Sequence, residues 1–208
     1  MEYLSKKLVD YVINVGAVPE ESYAVYQYGF QIGLEMILSF GVCFWMAIYL
    51  HMIPEFVVFT GIFMLLRTYA GGVHLNSFGA CLTCSATVQT LIFLINNKFK
   101  FTTINAWVII LASAILIAKA APVENINKEL DSDEKIHCKK VTIKNLVGIL
   151  IFAGCCTAGN RNNTVSLIAM TILVVLISQY VGMIKFKIEK RSEERTSELQ
   201  SPTNLVCR

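Results

Sequence analysis

The stretch from Phe101 to Ala121 reads FTTINAWVIILASAILIAKAA, and it decides the fold. From Thr103 to Ala118 it carries no Asp, Glu, Lys or Arg. Its length matches the roughly 20 residues with which an α-helix crosses the hydrocarbon core of a bilayer. Working outward, apolar stretches recur at Gln31 to Leu50, from Pro54 or Phe56 to Leu66, and at Cys81 to Ile95, Leu146 to Ala158 and Thr164 to Ile184. Together they predict about six spans. Of the 208 residues 55% are hydrophobic and only 16% charged, whereas about a quarter are charged in a soluble domain. No ten-residue alternating pattern is present, so helices rather than a closed barrel must satisfy the backbone inside lipid. The expected fold is therefore all-α, a multi-pass integral membrane protein with the lipid bilayer as its solvent. The second, third and fifth spans read as short, which predicts little tilt or partial re-entry.

At the N-terminus, Leu4, Leu8, Tyr11, Val12 and Val15 recur at helical spacing, with Ser5, Lys6, Lys7 and Asp10 on the other side. That pattern predicts an amphipathic helix over 2–16 lying on the membrane surface. No compact apolar core followed by a small-residue cleavage site occurs in residues 1–29, so no secretory signal is expected. The organisation is then an interfacial helix and linker over 1–29, a transmembrane domain over 30–185, and a polar tail over 186–208 whose end reads as disordered.

The net charge of +3 is spread between the spans rather than gathered in one patch. Topology signals explain it better than a nucleic-acid partner, and none is expected. With the N-terminus inside, the cytoplasmic set includes Lys6, Lys7, Arg67, Lys119, Lys128, Lys135, Lys139, Lys140, Lys144 and the tail, leaving only Lys98, Lys100 and Arg161 outside. This asymmetry predicts a cell-membrane protein with both termini cytoplasmic and the segment from Arg67 to Ala80 at the cytoplasmic face. Seven cysteines, several within apolar stretches, suit small hydrophobes better than a disulfide framework.

The segment after the second span is Arg67-Thr68-Tyr69-Ala70-Gly71-Gly72-Val73-His74-Leu75-Asn76-Ser77-Phe78-Gly79-Ala80-Cys81. An Arg, a His, an Asn and a Ser at a membrane boundary are either a plain loop or a functional site. His74 and Cys81 are seven residues apart; in one unbroken helix about 10 Å of rise would separate them. A thiol and an imidazole act as nucleophile and base only within about 3 Å, so that reading requires the chain to bend. Asn76 or Ser77 is a plausible helix N-cap, which would put Cys81 in the first turns of the third span, at the positive end of the helix dipole. The bland reading is a packing Cys and a hydrogen-bonded His. Cys81-Leu82-Thr83-Cys84 is also a CxxC, a weak signal for redox or metal chemistry. A zinc deaminase does not fit, because Asn76 stands where its Glu is needed and no Pro precedes Cys81.

The run Arg67, Gly71-Gly72, His74 and Cys81, with the later Ala121-Pro122-Val123-Glu124-Asn125-Ile126-Asn127-Lys128, resembles the motifs of the AgrB (accessory gene regulator B) family over about residues 1–190. The resemblance implies a peptidase, without metal or other cofactor, that cleaves a short precursor called AgrD. It implies Cys81 as nucleophile, His74 as base, a thioester on the catalytic sulfur, and closure of a thiolactone or lactone ring. It also implies a homodimer. Arg67, Gly71, Gly72, Glu124 and Lys128 are then expected to bind substrate or support the loop. Glu35, with Gln31 one turn before it, is a candidate orienting group. The competing enzymatic reading is a membrane thiol-disulfide oxidoreductase using Cys81 and Cys84, which a reducing cytoplasmic face disfavours. A small transporter with Arg67, His74 and Glu35 as a relay would call for internal repeats, and none is found.

Overall fold

The computed structural model describes residues 2–15, 22–72, 77–123 and 131–200. Among them the regular elements are all helices: α1 (Glu2–Asn14), α2 (Tyr23–Tyr49), α3 (Ile53–Ala70), α4 (Phe78–Lys98), α5 (Thr103–Ala120), α6 (Ser132–Ala158) and α7 (Asn162–Gln200). Six of them, α2 to α7, are long and apolar enough to cross a membrane. Large side chains such as Ile37, Trp45, Val57, Ile104, Val108, Ile151 and Ile177 stand uncovered on the described spans. That much exposed apolar surface belongs in lipid rather than water, and the chain is a multi-pass membrane protein.

The helices exceed the spans that hydropathy outlines. The second, third and fifth spans are not short: α3 has 18 residues, α4 has 21 and α6 has 27. Hydropathy reports the part of a helix that can sit in hydrocarbon, whereas the backbone ladder continues through polar residues beyond it. The polar segment before Leu146 is accordingly helical from Ser132 onward, and α7 runs on to Gln200.

The chain forms two compact units, one of residues 1–53 and 75–91, the other of residues 54–74 and 92–208. In the first, α1 packs on α2. Ser5 and Val9 are fully buried, while Leu4, Leu8, Tyr11 and Val15 are exposed. This corrects the amphipathic reading of Ser5: a small side chain lets the two helices approach closely, and the large apolar stripe is left for lipid. Within the same unit, Gln89 of α4 is buried and its Nε2 donates to the Cys43 carbonyl of α2 at 2.8 Å. Such a bond between helices is worth about 0.6 kcal/mol in a membrane.

In the second unit α7 is the most enclosed span. Ala106, Ile110, Ala114 and Ile117 form one stripe of α5, and Val165, Ile168, Ala169, Ile172 and Val175 one stripe of α7, all in a single buried cluster. Alternating small and branched residues at helical spacing give the close packing that must hold spans together where lipid is as apolar as the protein. Polar ties add to it: Trp107 Nε1 to Thr157 Oγ1 at 3.1 Å, the Phe101 amide to Ser166 Oγ at 3.2 Å, and Asn145 Nδ2 to the Leu65 carbonyl at 3.1 Å.

Candidate functional site

A helix must end with unpaired carbonyls unless other groups supply donors. At the end of α3 the donors come from far along the chain. The Ala70 carbonyl accepts the Val123 amide at 3.1 Å and Gln179 Nε2 at 3.3 Å. Val123 lies just after α5, where the Ala121–Pro122 peptide is cis, and Gln179 lies on α7. Gly71 follows with φ +81°, a left-handed conformation that only glycine adopts at little cost. A Cβ at Gly71 would also sit 2.9 Å from the Val123 carbonyl oxygen.

Gly72 faces the other side of this junction. A Cβ there would sit 3.0 Å from Ser178 Oγ and 3.4 Å from Arg67 Nη1. Arg67, half-buried in the last turn of α3, donates from that same Nη1 to Ser178 Oγ at 3.0 Å, and its guanidinium lies 5.5 Å from the centre of the Phe63 ring. Both glycines are therefore explained by close approach, one to a backbone carbonyl and the other to a polar pair.

In the first unit, Ser77 is a bend and Phe78 opens α4, so Cys81 is the fourth residue of the helix, its amide donating to the Ser77 carbonyl at 3.0 Å. Cys81, Leu82, Ser85, Ala86 and Gln89 lie on the more covered face, whereas Thr83 and Cys84 are exposed. Both thiols are free. On α2, Gln31 Nε2 donates to Glu35 Oε1 at 3.1 Å, one turn apart. Glu35 precedes Cys43 by eight residues and Cys81 precedes Gln89 by eight, about 12 Å of helix rise in each case. His74, Glu124 and Lys128 lie outside the described residues.

The deciding observation is that two stretches half a hundred positions apart, one around Gly71-Gly72 and one at Ala121-Pro122-Val123, meet at the Ala70 carbonyl. The accessory gene regulator B (AgrB) family profile matches the chain over residues 5–180. The chain belongs to the AgrB family. Two AgrB-like proteins are among its relatives. One, from Listeria innocua, is 25% identical over 195 residues, covering 90% of this chain and 91% of its own. The other, from Clostridium perfringens, is 24% identical over 160 residues, covering 73% and 74%. No solved structure matches the chain significantly.

In this AgrB chain Arg67, Gly71 and Gly72 are brought together with Val123, Ser178 and Gln179, and Cys81 shares a unit with Gln31 and Glu35. Sequence reasoning missed Ser178 and Gln179. The signal was present, since Ser178-Gln179 is a polar pair inside the apolar run from Thr164 to Ile184, and polar residues at membrane depth mark function by default.

Proposed function

We propose that this AgrB-family protein is a membrane-embedded cysteine endopeptidase of a quorum-sensing system, cleaving an AgrD-like pheromone precursor. Cys81 Sγ attacks the carbonyl carbon of the scissile peptide bond while His74 takes the thiol proton. The proton passes to the departing amine, which leaves with the C-terminal part, and the retained acyl group stays on Sγ as a thioester. An internal Cys or Ser of the precursor then attacks the thioester, closes the thiolactone or lactone ring and returns the thiol. Exclusion of water at the membrane boundary protects the thioester from hydrolysis.

One observation carries this reading: α3 stops at Ala70, Ser77 bends and α4 opens at Phe78, so no single helix joins positions 74 and 81. A continuous rod would have held imidazole and sulfur about 10 Å apart. The equal spacing of Glu35 and Cys81 from the Gln89–Cys43 tie supports Glu35, with Gln31, as an orienting carboxylate at the same depth. Arg67 supports the loop through Ser178, and Glu124 and Lys128 complete the support or the substrate contact. Positive charge on one side of the membrane supports cytoplasmic termini, where a newly made precursor is met. The working form is a homodimer.

The test is co-expression with an AgrD-like precursor peptide. Cys81→Ala and His74→Ala each lower cleavage by at least about a thousandfold while insertion is unchanged, and Cys84→Ser cleaves like the parent. Cleavage surviving in either of the first two variants refutes the peptidase. An inactive Cys84→Ser would favour the oxidoreductase instead.

A further inference from the structure

Two buried side-chain oxygens among the described residues accept no hydrogen bond from another group of the chain, Asn96 Oδ1 and Gln179 Oε1. Asn96 ties the last turns of α4 to the Asn163 carbonyl at 3.4 Å. Gln179 lies instead where the glycine turn departs, and it is fully buried. Its Nε2 donates to the Ala70 carbonyl, which already accepts the Val123 amide. That carbonyl would stay satisfied without Gln179. The amide cannot turn over, because its oxygen would then face another oxygen. The bond its nitrogen makes turns Oε1 away from every donor of the described chain, and a buried acceptor without a protein donor is unfavourable. Stability alone gives no reason for a Gln here, and an apolar side chain of similar size would avoid the problem.

The neighbouring residue completes the arrangement. Ser178 Oγ accepts Arg67 Nη1 at 3.0 Å and lies 3.0 Å from where a Cβ of Gly72 would sit. Two consecutive residues of α7 therefore hold both ends of the turn, Gln179 at the Ala70 carbonyl and Ser178 against Gly72. We propose that Ser178 and Gln179 are positioning residues, which fix the turn Ala70-Gly71-Gly72, two positions before His74, for the activation of Cys81. Consecutive Cα atoms are about 3.8 Å apart, and only two such links separate Gly72 from His74 along the sequence. This inference rests on the cysteine-peptidase reading, in which His74 activates Cys81.

The experiment uses the full chain in nanodiscs, in a Cys84→Ser background, with N-ethylmaleimide as the probe. Alkylation of Cys81 is followed against pH by mass spectrometry of its peptide. His74→Ala defines the part of the profile that depends on the imidazole. Gln179→Leu is expected to remove most of that part, slowing Cys81 by about tenfold or more at neutral pH, while melting no lower than the parent. Ser178→Ala is expected to shift the profile the same way. A Gln179→Leu profile superimposable on the parent overturns the positioning role and leaves the peptidase intact. A slowed profile accompanied by a lowered melting temperature also overturns it, since Gln179 would then be structural. Coincident profiles for the parent and His74→Ala refute the activated Cys81 and the positioning role with it.

Discussion

At the scale of the residue, the two adjacent glycines are required for different reasons and should fail differently. Gly71 combines φ +81° with a Cβ position 2.9 Å from a backbone carbonyl oxygen. The conformation alone costs a side chain about 1–2 kcal/mol, and the Val123 backbone cannot step aside without losing its bond to Ala70. Gly72 has no such φ, and its crowding comes from Ser178 Oγ and the Arg67 guanidinium, which are side-chain ends. Gly71→Ala is therefore expected to lower the melting temperature and cleavage more than Gly72→Ala does. Adding Ser178→Ala to Gly72→Ala should recover stability but nothing for Gly71→Ala. Melting curves of the four variants decide it, and recovery of Gly71→Ala by the Ser178 change would show that the crowding is assigned to the wrong atoms. The pair Gly71-Gly72 was legible in the sequence as a turn. What crowds it was not, because Val123 and Ser178 lie some 50 and 106 positions further on and no local pattern encodes such a contact.

At the scale of the element, the spans were legible because hydrocarbon imposes length and composition directly, and their ends were not. Two ends share one device. After α2, Met52 N–H reaches the Ala47 carbonyl at 2.9 Å and His51 N–H the Ile48 carbonyl at 3.0 Å; after α6, Arg161 N–H reaches Cys156 at 2.9 Å and Asn160 N–H reaches Thr157 at 3.1 Å. These are Schellman closures, which put one residue in the left-handed region. That residue is His51 at φ 55° and Asn160 at φ 54°. Asn tolerates this conformation better than His. His51→Gly is thus expected to stabilise the protein by roughly 0.5–1 kcal/mol, and Asn160→Gly by less. Equal or opposite effects on thermal melting would contradict the assignment. The same limit explains α1: its apolar periodicity was readable, but the face that meets α2 is the one with Ser5, chosen by close approach rather than by hydrophobicity.

At the scale of the whole molecule, an even number of crossings returns a chain to the side on which it entered, so six crossings, α2 to α7, would leave α1 and the end of α7 on one side in the proposed topology. Which side that is depends on charge. Lys98 at the end of α4, Lys100 just after it and Arg161 between α6 and α7 stand against the many cations of the opposite set, a balance that supports the proposed cytoplasmic termini, since positive residues are retained in the cytoplasm. The proposed mechanism needs this orientation, since Cys81 lies near the start of α4, at the end opposite Lys98, and its proposed substrate is made inside the cell. Introduced cysteines can read it, because Lys98, Lys139 and Arg161 are all exposed. On intact cells a membrane-impermeant maleimide should label Lys98→Cys and Arg161→Cys, and should reach Lys139→Cys only after permeabilisation, each site read by peptide mapping against the native cysteines. Labelling of Lys139→Cys on intact cells would invert the topology and place Cys81 on the face where no newly synthesised precursor can reach it, removing the premise on which the peptidase stands.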